Sequence, residues 1–515
     1  MDAFDDLRER LGRIYDLSAA AALMGWDERT VMPSAGAEAR AEAQATLAKV
    51  RHEMFTDDEI GRLIDAVRSA PDGDAPPGES VAADLARVVA RDWEKARLVP
   101  SDLRAEMARA SSIAENAWAE AKQRSSFEML LPHLERNVEL TRRYADCYDG
   151  FPGFSHPYDP LLDEFEPEMT TEQIRGVLAD LRDGLIPLVR EATSNGSAPA
   201  DDPFRGEFPA EAQRRLLTAL ISELPFPEGS WRIDPTEHPF ATSIGMGDVR
   251  LTTRYDEANL AMALFSALHE AGHGLYEAGV DPELRRTPLA KPRSLGLHES
   301  QSRLWENWVA RSRPYLDRLL PRLREEFPGS FEEVDGEALE RAANRIERSL
   351  IRIEADEVTY NLHILIRFEL ELEIFEGGLA LTDLPEAWND RYRQYLDLEV
   401  PDDARGVLQD VHWAGGAFGY FPTYSLGNVI AGQLWTAAER DLGGLEREIG
   451  SGELAPLGQW LRENVHRHGR RLSARQVLDR AGCGALSVGP LLDHLREKLA
   501  AAAPSPALKV PRRGM

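Results

Sequence analysis

Residues 256–279 read DEANLAMALFSALHEAGHGLYEAG, and apolar side chains fall on almost every face of the helix they would form. Leu260, Met262, Leu264, Phe265 and Leu268 leave no broad polar stripe, so this helix belongs inside the protein. A buried helix cannot carry two imidazoles and a carboxylate unless something satisfies them. His269 and His273 stand four apart and share a face, with Glu270 between them. That HExxH spacing lets both rings converge on one tetrahedral Zn²⁺ and aims Glu270 at the open position, where it takes a proton from the activated water. Hydrolysis of a peptide bond is the chemistry implied. The competing reading is two histidines meeting on a helix by coincidence, which leaves all three groups buried without partners.

A catalytic zinc takes a third protein ligand. Glu299, in SLGLHESQSRLWENW (294–308), lies on the next substantial helix and supplies the missing oxygen if the two helices cross. A surface pair with Arg303 at i, i+4 competes with that role, but Leu297, Leu304, Trp305 and Trp308 argue for burial. On the other side of the motif, WRIDPTEHPFATSIGMGDVRLTTRY (231–255) alternates polar and apolar residues around a Gly245–Asp248 turn. It predicts a small antiparallel β-sheet beside the active-site helix, with helix resuming at an Asp256 N-cap. Arg250 alternates with Val249 and Leu251 and faces away from them. An edge strand there would let an extended peptide pair through its backbone.

The rest of the chain is helical by period, from Phe4, Leu7, Leu11, Ile14 and Tyr15 onward. Runs over 36–67, 81–123 and 127–148 predict helices, and 71–80, 149–160 and 193–206 read as loops. The fold class is mainly α. We expect one catalytic domain over 1–500, with a helical N-terminal part to about residue 200, a zinc-site part over about 201–500, and a disordered tail at 501–515. The 515 residues include 60 Lys plus Arg against 88 Asp plus Glu, and a net charge of −28 excludes a typical nucleic-acid partner. Cys147 and Cys483 are too few for a disulfide framework and carry no nucleophile signature. No apolar run is long enough for a membrane span, and MDAFDDLRER lacks the pattern of a signal peptide, so the expected location is cytoplasmic. No phosphate-binding glycine loop implies a nucleotide cofactor.

Several ordered motifs accompany HEAGH: HPF (238–240), DVRLT (248–252), HESQ (298–301), IRIEADE (351–357) and GVLQDVHW (406–413), preceded by GWDERTVMPSAGAEARAEAQATLA (25–48). Together they resemble the carboxypeptidase Taq family over about residues 10–500. The resemblance implies a large helical metallopeptidase fold with a deep cleft, and a zinc metallocarboxypeptidase, usually a homodimer, that removes C-terminal residues with broad specificity and resists proline. Co²⁺ and Mn²⁺ are implied as substitutes for zinc. Residue by residue, His269, His273 and Glu299 match the metal ligands and Glu270 the general base or acid. Arg352 matches the anchor for the substrate's terminal carboxylate, a role suited to a bidentate guanidinium. Spacing alone equally allows an Arg352–Asp356 pair, and Arg250 is the competing guanidinium. His238 is placed beside the substrate or in a structural role.

The loop HWAGGAFGYFPTYSLGN (412–428) offers His412, Tyr420 and Tyr424 as donors to a developing oxyanion. It resembles the corresponding loop of thimet-type helical oligopeptidases, which favours Tyr424. Core aromatics in a glycine-rich loop are the plainer alternative. Two other functions compete: an oligopeptidase or dipeptidyl carboxypeptidase with the same centre, and a non-catalytic helical scaffold with a structural zinc.

Overall fold

The apolar periodicity of the first 150 residues resolves into six helices: α1 (Ala3–Thr30), α2 (Ala37–Phe55), α3 (Asp58–Arg68), α4 (Val81–Leu98), α5 (Ser101–Arg124) and α6 (Phe127–Asp146). This computed structural model describes residues 2–194 and 202–502. Two expected runs are split by local chemistry. Asp57 breaks 36–67 by accepting the Glu59 N–H as the cap of α3. Pro100 breaks 81–123, because proline lacks an N–H and holds Val99 extended. Short α7 (Asp159–Asp163), α8 (Thr171–Ser194) and α9 (Ala210–Ser222) lead to the sheet. Residues 195–201 of the expected loop lie outside the described residues.

The sheet has three strands, β1 (Trp231–Pro235), β2 (Ala241–Gly245) and β3 (Asp248–Thr253), in the order β1-β3-β2. It is mixed, which corrects the antiparallel expectation: β2 runs antiparallel to β3, but β1 runs parallel to it. The linker between β1 and β2 explains this. Thr236 donates to Thr253 O and Thr252 donates to Phe240 O, so the linker wraps around the end of β3 and puts β2 on the far side. The strand bearing Arg250 is therefore central. Both its edges are paired, and strand addition by a peptide is left only to β1 or β2.

Val249 and Leu251 of β3 are buried and pack on Gly274 of α10 (Leu260–Gly279), the HExxH helix. Asp256 does not cap it. Segment 204–208 pairs with 256–260 instead, Phe208 donating to Glu257 O and Leu260 to Phe204 O, which holds 256–259 out of the helix. Beyond it come α11 (Leu295–Arg303), a π-helical continuation (Leu304–Ala310), α12 (Arg313–Glu326), α13 (Gly336–Ala343), α14 (Glu357–Phe375), α15 (Leu384–Leu396) and α16 (Pro422–Leu442). Four further helices, α17 (Leu445–Ser451), α18 (Ala455–Asn464), α19 (Ala474–Arg480) and α20 (Gly489–Ala502), close the described chain. Of the tail expected from 501, two residues extend α20 and the rest lies outside the described residues.

One large core joins α5 through α20, and a smaller one ties α1, α3 and α4 to Val280, Leu284 and Leu289. Two glycines let the central helices touch. A Cβ at Gly272, inside HEAGH, would lie 2.5 Å from the carbonyl of Gln301, and one at Gly427 on α16 would collide with the Glu299 side chain. Glycine at these positions brings α10 and α16 up against α11, close enough for Glu299 to meet the side chains of α10. No described helix is long and apolar enough to cross a membrane. Cys147 and Cys483 are free thiols, and burial pushes both up, Cys483 to about 11.

Candidate active site

His269 and His273 share one face of α10, and α11 brings Glu299 to them, so that the ligand atoms of the three all lie within 4.8 Å of one another. The Glu299 Oε2 atom lies 3.7 Å from His269 Nε2 and 3.5 Å from His273 Nε2. Its Oε1 accepts from Arg303 Nε at 2.7 Å. The i, i+4 pair weighed against ligation thus exists, but inside the protein, with Glu299 only 8% exposed. It orients the carboxylate so that the other oxygen faces the histidines.

The outer ring nitrogens decide what the inner ones can do. His269 Nδ1 lies 2.9 Å from Glu306 Oε2, and His273 Nδ1 lies 3.2 Å from the carbonyl of His298. Both partners can only accept in these contacts, with Glu306 ionised, so each Nδ1 carries the proton and each Nε2 presents a lone pair inward. Two nitrogens and a carboxylate oxygen in that arrangement fit a zinc site. Burial pushes His273 down to about 3, keeping it neutral. Glu299 is held well below the carboxylate range: burial opposes ionisation, but Arg303 and the histidines overcome it. Glu270, buried beside His269, is pushed up to about 7 by burial above all.

Glu306 escaped the sequence reading. It lies on the π-helical turn after α11 and is itself held by Arg311 at 3.0 Å and Arg303 at 3.4 Å. The available signal was a lone carboxylate among buried residues in LWENWVA. Carboxylate partners of this kind set ring orientation and ligand basicity. Glu306→Ala is expected to weaken zinc binding by about ten- to hundredfold, read by calorimetric titration, while Glu306→Asp keeps part of the affinity. Unchanged affinity would remove Glu306 from the site.

Arg352 is buried and does not pair with Asp356, which instead caps α14 by accepting from Val358 and Thr359. Its Nε and Nη2 donate to Asp410 Oδ1 at 3.0 and 2.7 Å, and Nη1 donates to Tyr360 Oη at 3.2 Å. Asp410 also accepts from Arg367 at 2.6 Å, so the cluster carries one positive charge in excess. Tyr360, another residue missed from sequence, joins two guanidiniums. Its ring lies 4.7 Å beneath Arg303 and its hydroxyl accepts from Arg352, linking the proposed anchor to the partner of Glu299.

His412 and the two tyrosines come together. His412 Nε2 lies 3.4 Å from Tyr424 Oη, the Tyr420 ring is 5.2 Å from that of Tyr424, and Arg352 sits 5.2 Å over Tyr424. Burial pushes His412 down to about 4 and raises both phenols, with Glu299 adding to the rise in each. At neutral pH all three are uncharged hydrogen-bonding groups. Arg250 is engaged elsewhere: it pairs with Asp248 and lies 4.9 Å over Trp26 of α1. His238 stands exposed in the turn between β1 and β2.

The sequence profile of the "Carboxypeptidase Taq (M32) metallopeptidase" family matches residues 6–499. Thermostable carboxypeptidase 1 of Thermus thermophilus is 42% identical, covering 97% of this chain and 98% of its own. Carboxypeptidase 1 of Bacillus subtilis is 39% identical over 95% and 96%. The crystal structure of the M32 carboxypeptidase of Deinococcus radiodurans superposes with a TM-score of 0.93 at 40% identity, over 97% of this chain and 99% of that one. With the metal-binding geometry in place and the match running nearly end to end, this chain belongs to the carboxypeptidase Taq (M32) metallopeptidase family.

Proposed function

We propose that this chain is a zinc-dependent carboxypeptidase that releases single residues from the free C-termini of peptides, with little selection among side chains. The observation that carries this is the pair of inward-facing Nε2 atoms beside Glu299 Oε2, with Glu270 adjacent. Zinc held by these three residues supplies Lewis acidity toward the scissile carbonyl.

The protein's own groups do the rest. Glu270, near 7, is matched to take a proton from the attacking water at neutral pH and return it to the departing amine. Tyr424, with His412 at its hydroxyl, donates to the oxygen on which negative charge develops, and Tyr420 stands beside them. Neutral donors suit this task, since they strengthen their bonds as charge builds without cancelling it in the resting state. Arg352 has spent three of its five N–H groups on Asp410 and Tyr360, leaving two for the substrate's carboxylate. Fixing that terminus next to the catalytic groups limits cleavage to the last bond.

Mass spectrometry of the products from an unblocked peptide tests this. Stepwise loss of single C-terminal residues is expected, abolished by chelation and restored by Zn²⁺, with Co²⁺ and Mn²⁺ as parallel additions. Dipeptides or internal fragments would instead establish an oligopeptidase or dipeptidyl carboxypeptidase, and no cleavage after reconstitution would favour a structural zinc.

A further inference from the structure

Glu371 is fully buried on α14 and has no part in the mechanism above. Three donors, one from Tyr158 and two from the turn over 412–420, converge on it. Tyr158 Oη and the Gly419 N–H donate to Oε2, the latter at 2.9 Å, and the Trp413 indole N–H donates to Oε1 at 2.7 Å. An ionised carboxylate is acceptor-only, so the three donors match it. Burial pushes Glu371 up to about 7 while these hydrogen bonds pull the other way. A site that only needed filling would be more stable with an apolar side chain and apolar neighbours, so a buried acid with neutral partners calls for a reason.

The reason lies in which residues it grips. Trp413 directly follows His412, and Gly419 directly precedes Tyr420. One carboxylate thereby clasps both ends of the turn that presents the two rings, whose centroids are 5.4 Å apart. The turn is braced inside as well. Ala417 donates to His412 O at 2.9 Å, and Asn137 Nδ2 reaches Ala414 O at 2.7 Å. We propose that Glu371 is a positioning residue for the oxyanion side of the site, setting the spacing of His412 and Tyr420 and the pose of His412 against Tyr424. This rests on reading those three residues as the donors of the reaction.

Glu371→Gln in the zinc-loaded enzyme tests it, because the amide keeps the volume but turns an N–H₂ toward a donor. We expect kcat to fall by about ten- to hundredfold, as a misplacement of up to an ångström costs. KM and zinc affinity should stay within about twofold by the same reasoning, and the Trp413 indole proton should move upfield in a spectrum of ¹⁵N-tryptophan protein. Should Glu371→Gln fail to fold, Trp413→Phe removes one donor and leaves the acid in place; a smaller kcat loss at unchanged KM is expected.

Unchanged kcat in a folded variant overturns the proposal, as does a fall in kcat and zinc affinity with a rise in KM that tracks lost thermal stability. In a His412→Ala, Tyr420→Phe, Tyr424→Phe background, Glu371→Gln should add little. A full multiplicative loss there would place its action elsewhere. If His412→Ala, Tyr420→Phe and Tyr424→Phe each keep full kcat, the reading of the donors fails and the role of Glu371 with it. If they lose kcat and Glu371→Gln does not, only the Glu371 assignment falls.

Discussion

Glu270→Gln is expected to keep its zinc and lose turnover by about 10²- to 10⁴-fold, the usual worth of a placed general base. Glutamine preserves shape and burial but has no basic oxygen to accept a proton. The three ligand side chains and the Glu306, His298 and Arg303 contacts behind them do not involve Glu270, so they should survive the change. Measuring bound zinc alongside kcat separates the two effects. Zinc lost together with turnover would make Glu270 part of the metal's hold, and retained turnover would move the base elsewhere.

Removing Arg352 should be nearly as damaging, and more informative about reaction type. Truncating one partner of a buried charge pair costs about 2–5 kcal/mol, which at tenfold per 1.4 kcal/mol is roughly 30- to 4000-fold in kcat/KM. Part of that loss is internal. Arg352→Ala leaves Asp410 with Arg367 alone and takes a cation from above the Tyr424 ring. The substrate contribution is isolated by comparing a blocked dipeptide bearing a free carboxylate with its C-terminal amide. The parent should strongly favour the free acid, and in Arg352→Ala the ratio should collapse toward one. Arg352→Lys, a point charge without the fork, should recover only part of the preference. A ratio unchanged by either substitution would show that another group reads the carboxylate.

How much of this was legible follows from how far each partner lies along the chain. HExxH converts spacing directly into direction, because a helix repeats every 3.6 residues, and the burial of Glu299 could be read from Leu297, Leu304 and Trp305. Glu306 could not be placed in the same way. As a residue three beyond Arg303 it passes for a solvated pair, and only the fold puts it under His269. Asp410 reaches Arg352 across 58 residues, whereas the local candidate Asp356 was drawn off to cap a helix. In FELELEIF three glutamates alternate through an apolar helix, and nothing local distinguishes the buried Glu371 from Glu369 and Glu373. Alternation in 231–255 set Arg250 on the face opposite Val249 and Leu251, and the structure makes those two the buried side. Alternation carries no information on strand direction, which the route of the 236–240 linker decides.

The two carboxylates that bracket His269 belong to one unbroken rod running from Leu295 to Ala310. Glu299 faces one nitrogen of the ring and Glu306 the other, so any sliding or tilting of that rod disturbs both grips simultaneously. The seam between it and the HExxH helix is thereby excluded as a hinge. Any motion that leaves the metal site intact carries these two helices together as a single anvil.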